Sequence, residues 1–122
     1  MIKLVYCVTR HAALGRELFL HTWLHEHGPL VRSLAEALGT VRYVQSHTLD
    51  SEINSVLATS RGMQAGYDGI TELWFESIES LQAALISPRG AAAAATLLAD
   101  EKRFIDLERS RTFIAEEHEV FG

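Results

Sequence analysis

Residues 2–9 read Ile-Lys-Leu-Val-Tyr-Cys-Val-Thr, and the interpretation of the whole chain starts from this stretch. Lys3 is its only charged residue, and apolar side chains occupy both alternating sets of positions. Successive side chains of a strand point to opposite faces, so a strand covered on one face should alternate between apolar and polar residues. The sequence therefore predicts a first β-strand that is buried on both faces.

A helical pattern follows over residues 14–38. Its apolar face consists of side chains spaced three or four residues apart, namely Phe19, Trp23, His27, Leu30 and Leu34. Gly28-Pro29 interrupts this pattern, because proline has no N–H group and its ring clashes with the carbonyl group four residues earlier. We expect the helix to break or kink at His27-Gly28, with Pro29 in the first turn of a second segment. His27 would then lie on the apolar face beside a break in the backbone.

The remaining segments complete the predicted order β-α-β-β-α-β. They are a strand over 41–49, a loop over 50–67, a strand over 70–75, a helix over 77–86, a second helix that restarts at Ser87-Pro88, and a strand over 112–121. This order is that of the ferredoxin-like α+β fold, a four-stranded antiparallel sheet with helices on one face, formed here by a single domain over residues 1–122. Since these helices cover only one face, a doubly buried first strand predicts a homodimer that associates through the sheet.

Composition and missing motifs exclude several classes of function. A single cysteine among 122 residues favours a reducing, cytoplasmic compartment. The net charge of −5 argues against a nucleic-acid-binding surface, and no stretch approaches the ~20 apolar residues of a membrane span. The signatures of dinucleotide-binding proteins, P-loop proteins, serine hydrolases and zinc proteases are absent. An enzyme of this kind would use acid–base side chains in an apolar pocket or a borrowed cofactor such as haem, and we expect no organic cofactor.

The six histidines raise the question of a metal site. His21 and His25 are four residues apart and share one helix face with Glu17, so three ligands could converge there. All three lie opposite the apolar stripe, which makes a solvated polar face the simpler interpretation. We expect no metal site.

His27 is the candidate catalytic residue. A buried imidazole can act as a general acid or base, or it can hydrogen-bond the carbonyl groups freed by the helix break and hold the kink in place. The candidate substrate-binding residues are Tyr6, Trp23, Tyr43 and His47. Tyr43 and His47 share one strand face, which lines either a cavity or the dimer interface.

Phe19 and Trp23 are followed by the motif Glu26-His27-Gly28-Pro29-Leu30-Val31. Through these residues the chain resembles the EthD family. The resemblance is most specific at this motif. It continues through Tyr67-Asp68-Gly69-Ile70, Glu72-Leu73-Trp74-Phe75, Asp100 with Phe104, and Glu116-Glu117-His118, and so extends over nearly the whole chain. The histidine of the family's His-Gly/Ala-Pro-Leu motif corresponds to His27.

The resemblance implies a dimeric α+β barrel built on the ferredoxin-like fold. It also implies kinship with small cofactor-free monooxygenases, polyketide cyclases, lactone isomerases and decarboxylases, and more distantly with proteins that bind haem. The first hypothesis is an enzyme without an organic cofactor that isomerises, decarboxylates, cyclises or oxygenates an apolar aromatic or lactone-like substrate, with His27 moving a proton. The second is a non-catalytic ligand-binding or accessory dimer that serves an oxygenase or ether-degradation system. The third is a haem protein with His27 or His47 as the proximal ligand.

Overall fold

The structure, a computed structural model, describes residues 1–122. Its elements are β1 (Ile2–Val8), α1 (Arg16–His21), a π-helical segment (Thr22–His27), α2 (Gly28–Leu38), β2 (Thr40–His47), α3 (Glu52–Ser60), β3 (Gly69–Phe75), α4 (Ile78–Ile86), α5 (Pro88–Glu101) and β4 (Arg111–Ala115). The four strands form one antiparallel sheet in the order β2-β3-β1-β4. This arrangement confirms the predicted ferredoxin-like α+β fold.

The inner face of the sheet packs against the helices through two apolar clusters. The first contains the fully buried Val8, Phe19, Trp23 and Phe104 together with Ile105. The second joins Val31 and Leu38 of α2 to Ala93 and Leu97 of α5. These clusters hold the π-helical segment and the end of α5 over the middle of the sheet.

The outer face of the sheet carries the other set of β1 side chains. Lys3, Val5 and Cys7 alternate with the inward-facing residues and point away from the helices. Lys3 forms an ion pair with Glu72 of β3, and both side chains are about four-fifths buried. Within one chain, helices therefore cover β1 on one face only, and the covering of its second face stays a prediction.

The predicted break at His27-Gly28 is a change of helix type, since the π-helical segment ends at His27 and α2 begins at Gly28 with Pro29 in its first turn, as predicted. Gly28 has φ −54° and ψ −52°, so it stays in the helical region, and the helical path runs from Arg16 to Leu38. The irregularity is a π turn that ends at this junction, where the N–H group of Gly28 donates to the carbonyl oxygen of Trp23, five residues before it. Such a π turn relieves the clash of Pro29 with the preceding turn without ending the helix.

Two other predicted boundaries were wrong. Most of the expected loop over 50–67 is helical, because α3 occupies Glu52–Ser60 and the Ser51 hydroxyl accepts from the N–H group of Ile53 at its start. No residue of α3 is buried, which explains the weak apolar periodicity of this segment. The last strand is shorter than predicted and ends at Ala115.

The restart at Ser87-Pro88 is confirmed, with Ser87 as the N-cap of α5. None of the helices has the length and apolar character needed to span a membrane.

Candidate functional site

A small cavity lies between the inner face of the sheet and the helices, with a volume of about 50 Å³. At about 30 Å³ per water molecule, a space of this size holds one or two waters. Its lining side chains are Tyr6, Trp23, His27, Val31, Tyr43, Thr71, Leu73, Leu97, Glu101 and Ile105. The wall is thus mainly apolar, with a few polar groups that converge from β1, β2, the π-helical segment and α5.

The π-helical segment is tied to the sheet by Gln45 of β2. The Gln45 side-chain amide donates to the carbonyl oxygen of Trp23 at 2.8 Å and to the Tyr43 hydroxyl at 2.6 Å. Because Nε2 makes these two contacts, Oε1 is left to accept from Nε2 of His47, 2.8 Å away. One amide therefore fixes the positions of a helix carbonyl, a cavity hydroxyl and a neighbouring imidazole.

His27, the last residue of the π-helical segment, is buried and paired with a carboxylate. Its Nδ1 lies 2.7 Å from Oδ2 of Asp100, and the ring meets the edge of Phe104 at 5.0 Å between centroids. Arg103 holds the other oxygen of Asp100 at 2.8 Å. This chain of contacts fixes the imidazole orientation in the manner of a carboxylate–histidine pair.

The charge states of this pair follow from their surroundings. Burial lowers the pKa of His27 below its usual 6.5 and outweighs the hydrogen bond with Asp100, which raises it. Burial acts to raise the pKa of Asp100, but the hydrogen bonds from His27 and Arg103 bring it below its ordinary value. Near neutral pH, Asp100 is therefore ionised and accepts from the Nδ1–H group of a neutral His27. The Nε2 atom has no protein partner and is the nitrogen that can accept a proton.

A second carboxyl group contributes to the cavity wall. The Tyr6 hydroxyl donates to Oε1 of Glu101 at 3.1 Å. Burial raises the pKa of Glu101 to about 7, although the hydrogen bond from Tyr6 acts in the opposite direction. Burial and the nearby carboxylate also raise the pKa of Tyr6 above its ordinary value. Glu101 consequently exchanges its proton close to neutral pH.

Four of the five residues singled out from the sequence meet at this cavity, namely Tyr6, Trp23, His27 and Tyr43. His47 does not line it. Its ring stacks on that of Trp23, 4.6 Å between centroids, and faces an open groove of about 650 Å³ between α3 and the start of β3. Burial, with a smaller effect from the charge of Arg16, lowers the pKa of His47.

The histidine pair on the outer surface of the helix has no third ligand beside it. The rings of His21 and His25 lie 5.0 Å apart. No group of three histidine, cysteine, aspartate or glutamate side chains in the chain is arranged to hold a metal ion.

Sequence reasoning missed Gln45, Asp100 and Glu101. It quotes Asp100 only as part of the family resemblance and gives none of these three residues a role in the site. A signal for Glu101 is present, because Ala93, Leu97 and Glu101 are spaced four residues apart and so share the buried face of α5. No pattern in the sequence pairs Asp100 with His27, which lies 73 positions away.

The residues at the site do not fit a haem group. A cavity of about 50 Å³ is far too small for a porphyrin. The Nε2 atom of His27 has no protein partner, but the cavity that His27 lines has no room for the macrocycle. His47 lies outside this cavity, with its ring stacked on Trp23 and its Nε2 bonded to Gln45.

The family model described as the EthD domain matches residues 11–108 of the chain. The comparison with curated proteins found no match to the chain. An EthD family protein from Bacillus halodurans has 19% sequence identity and a TM-score of 0.65, with 97% of this chain and 99% of that chain covered.

Two other solved structures share the fold at lower identity. SnoaB from Streptomyces nogalater, a cofactor-independent oxygenase, has 13% identity and a TM-score of 0.54, with 98% of this chain and 94% of that chain covered. A dimeric protein of unknown function from Bacteroides fragilis, which has a ferredoxin-like fold, shows 8% identity and a TM-score of 0.59, with 95% of each chain covered. At these identities the similarity shows the fold alone.

Proposed function

This chain belongs to the EthD domain family, and from that premise we propose that it is a small-molecule enzyme that works by proton transfer without an organic cofactor. One observation carries the proposal. The buried His27 lines an internal cavity, and its pairing with Asp100, 2.7 Å between Nδ1 and Oδ2, leaves Nε2 without a protein partner. SnoaB, which shares the fold, is a cofactor-independent oxygenase and lends the proposal support from outside the chain.

The chemistry follows from the orientation of the pair. Neutral His27 can take a proton from a C–H or O–H group at Nε2, and the imidazolium that results is stabilised by ionised Asp100 through Nδ1–H. Tyr6 and Tyr43 place hydroxyl groups in the same cavity, where they can contact a substrate oxygen. Removal of a proton begins isomerisation and cyclisation, and it can also prepare an aromatic or lactone-like substrate for decarboxylation or oxygenation.

Such a substrate is larger than the cavity, so its binding requires a wall to move. The stacked pair of Trp23 and His47 separates the cavity from the open groove beside α3. Displacement of these two rings would join the two spaces. Trp23 and His47 then serve as the substrate-binding residues at the point of access, and Tyr6 and Tyr43 as those inside.

Deuterium exchange tests the proposal without knowledge of the natural substrate. Acetone, acetylacetone and a set of aromatic ketones and lactones are incubated in D2O with the protein, and loss of the exchangeable C–H signals is followed by proton NMR. We expect faster exchange of at least one compound and loss of this effect in His27→Gln. The control is His25→Gln, which alters an exposed histidine two residues away. Equal exchange by the wild type and His27→Gln would refute the proposal.

The second candidate function is a non-catalytic ligand-binding or accessory dimer that serves an oxygenase or ether-degradation system. The small volume of the cavity favours it, because about 50 Å³ suits a small bound ligand better than turnover of an aromatic one. Binding of a compound from the same set, with no exchange of its protons, would distinguish this function from catalysis.

We also propose that the protein is a cytoplasmic homodimer that associates through the outer face of the sheet. Val5 and Phe113 are paired on that face, Phe113 is half-exposed, and the structural relative from Bacteroides fragilis is dimeric. Light scattering should give twice the 13.6 kDa of one chain. Phe113→Asp should reduce the mass to that of one chain, whereas Val56→Asp, on an exposed face of α3, should not. A wild-type mass of one chain would refute the homodimer.

A further inference from the structure

Glu101 is a carboxyl group in the cavity wall that does not belong to the His27–Asp100 pair. It lies in the last turn of α5, and its Oε1 accepts from the Tyr6 hydroxyl at 3.1 Å. Asp100, its neighbour in sequence, has ion pairs with His27 and Arg103. Glu101 takes part in none of the ion pairs of the chain.

A buried carboxylate without a cation is strongly disfavoured, so the group holds its proton instead. The groups that face Glu101 reinforce this state, since Tyr6 of β1 and Tyr43 of β2 are uncharged and Asp100 repels a second negative charge. His27, in the cavity wall, is neutral because burial lowers its pKa. Up to about neutral pH, the cavity therefore presents no net charge to a ligand.

We infer that Glu101 is a second acid–base group of this cavity, and that the site takes an uncharged substrate that carries a hydrogen-bonding oxygen, such as a carbonyl. This inference rests on the proposed function of His27. An anionic ligand would meet no free cation in the wall and would lie near ionised Asp100. A cationic ligand would first require Glu101 to lose its proton.

The two groups together complete a balanced proton transfer. His27 Nε2 takes a proton from the carbon next to the substrate carbonyl, and the electron pair of that C–H bond forms the carbon–carbon double bond of an enol. The carbonyl oxygen receives the proton of Glu101. An imidazolium and a carboxylate form together, so the cavity stays neutral overall, and the reverse transfers restore both groups.

Three isosteric probes test the charge preference directly. Acetamide, acetate and acetamidinium share one shape and differ in charge, and each has only four non-hydrogen atoms. Binding is followed at pH 6 and pH 8 by amide NMR shifts of the cavity residues. We expect acetamide to bind and acetate to bind at least tenfold more weakly at both pH values. Affinity for acetamidinium should rise about tenfold between pH 6 and pH 8 as Glu101 ionises.

Glu101→Gln should bind acetamide, but its affinity for acetamidinium should no longer rise between pH 6 and pH 8. Glu36→Gln, which removes an exposed carboxylate of α2, should keep this rise. If Glu101→Gln does not fold, the carboxyl carbons of the wild type can be titrated by NMR, and one glutamate should titrate near pH 7. Equal binding of acetate and acetamide, no binding of acetamide, or an unchanged rise in Glu101→Gln would each overturn the inference.

These outcomes are separate from those of the deuterium-exchange experiment, because no turnover is measured. Intact charge discrimination with no proton exchange would refute catalysis by His27 and leave the binding role of Glu101 standing. Proton exchange that depends on His27 but not on Glu101, without charge discrimination, would refute the inference and leave the proposed function standing.

Discussion

Replacement of Glu101 by glutamine should make the stability of the protein less sensitive to pH. The pKa of this carboxyl group is 4.5 ordinarily and about 7 in the folded protein, because folding buries it. The folded state then holds the proton more tightly than the unfolded state, so the free energy of unfolding falls as the pH rises from 4.5 to 7 and is constant above that range. At about 1.4 kcal/mol per pH unit, the full loss is about 3 kcal/mol.

Urea unfolding of the wild type and Glu101→Gln at pH 5 and pH 8 measures this loss. All other titrating groups are present in both proteins, so their contributions cancel in the difference between the two free energies of unfolding. The variant should gain about 2 to 3 kcal/mol relative to the wild type between pH 5 and pH 8. A change in that difference below about 0.5 kcal/mol would refute the assignment of a buried, unpaired carboxyl group.

Three other substitutions probe the surroundings of the site. Asp100→Asn removes the carboxylate that raises the pKa of His27, so this pKa should fall further below 6.5 in a histidine NMR titration. The free energy of unfolding, measured in urea, should fall by about 2 kcal/mol. An unchanged pKa would contradict the pairing. Gly69→Ala would place a methyl carbon 2.6 Å from the indole ring of the cavity wall and should cost about 1–3 kcal/mol in thermal unfolding. Gly66→Ala has open space around it and should leave the Tm unchanged; similar losses in both variants would contradict this packing argument. Pro29→Ala restores an N–H group that can reach the carbonyl group four residues earlier. The chain should still fold, but the NMR resonances of His27 should shift. Unchanged His27 resonances would contradict this account of the π turn.

The fold was predictable because its signals are local. The apolar run of β1, the step of three or four residues along the first long helix, and the cap at Ser87 each indicate one element without reference to the rest of the chain. The helix α3 gave no such signal, since it buries no side chain and therefore has no apolar stripe. Its formation depends on local propensity and on the Ser51 cap, which a pattern of burial cannot detect.

The site was predictable only in part, because half of it depends on packing. The apolar stripe predicts that His27 points toward the core, and His27 is buried in the structure. Its pairing with Asp100 depends on how α5 crosses the π-helical segment, and no periodicity encodes that crossing. The position of His47 outside the cavity also depends on packing, because its ring stacks on the indole of Trp23, which lines the cavity.

The π-helical segment has a consequence for how relatives of this chain should be aligned. A π turn accommodates roughly one residue more than an α-helical turn, and it is equivalent to a single-residue insertion into a regular helix. A homologue with one residue fewer between Thr22 and His27 could keep a helix of the same path and present its histidine at the same place. Alignments that forbid a gap inside this helix would therefore match either the aromatic pair or the histidine, but not both. A one-residue deletion here therefore indicates a change of helix type, and the histidines on either side of it should still be aligned as equivalent residues.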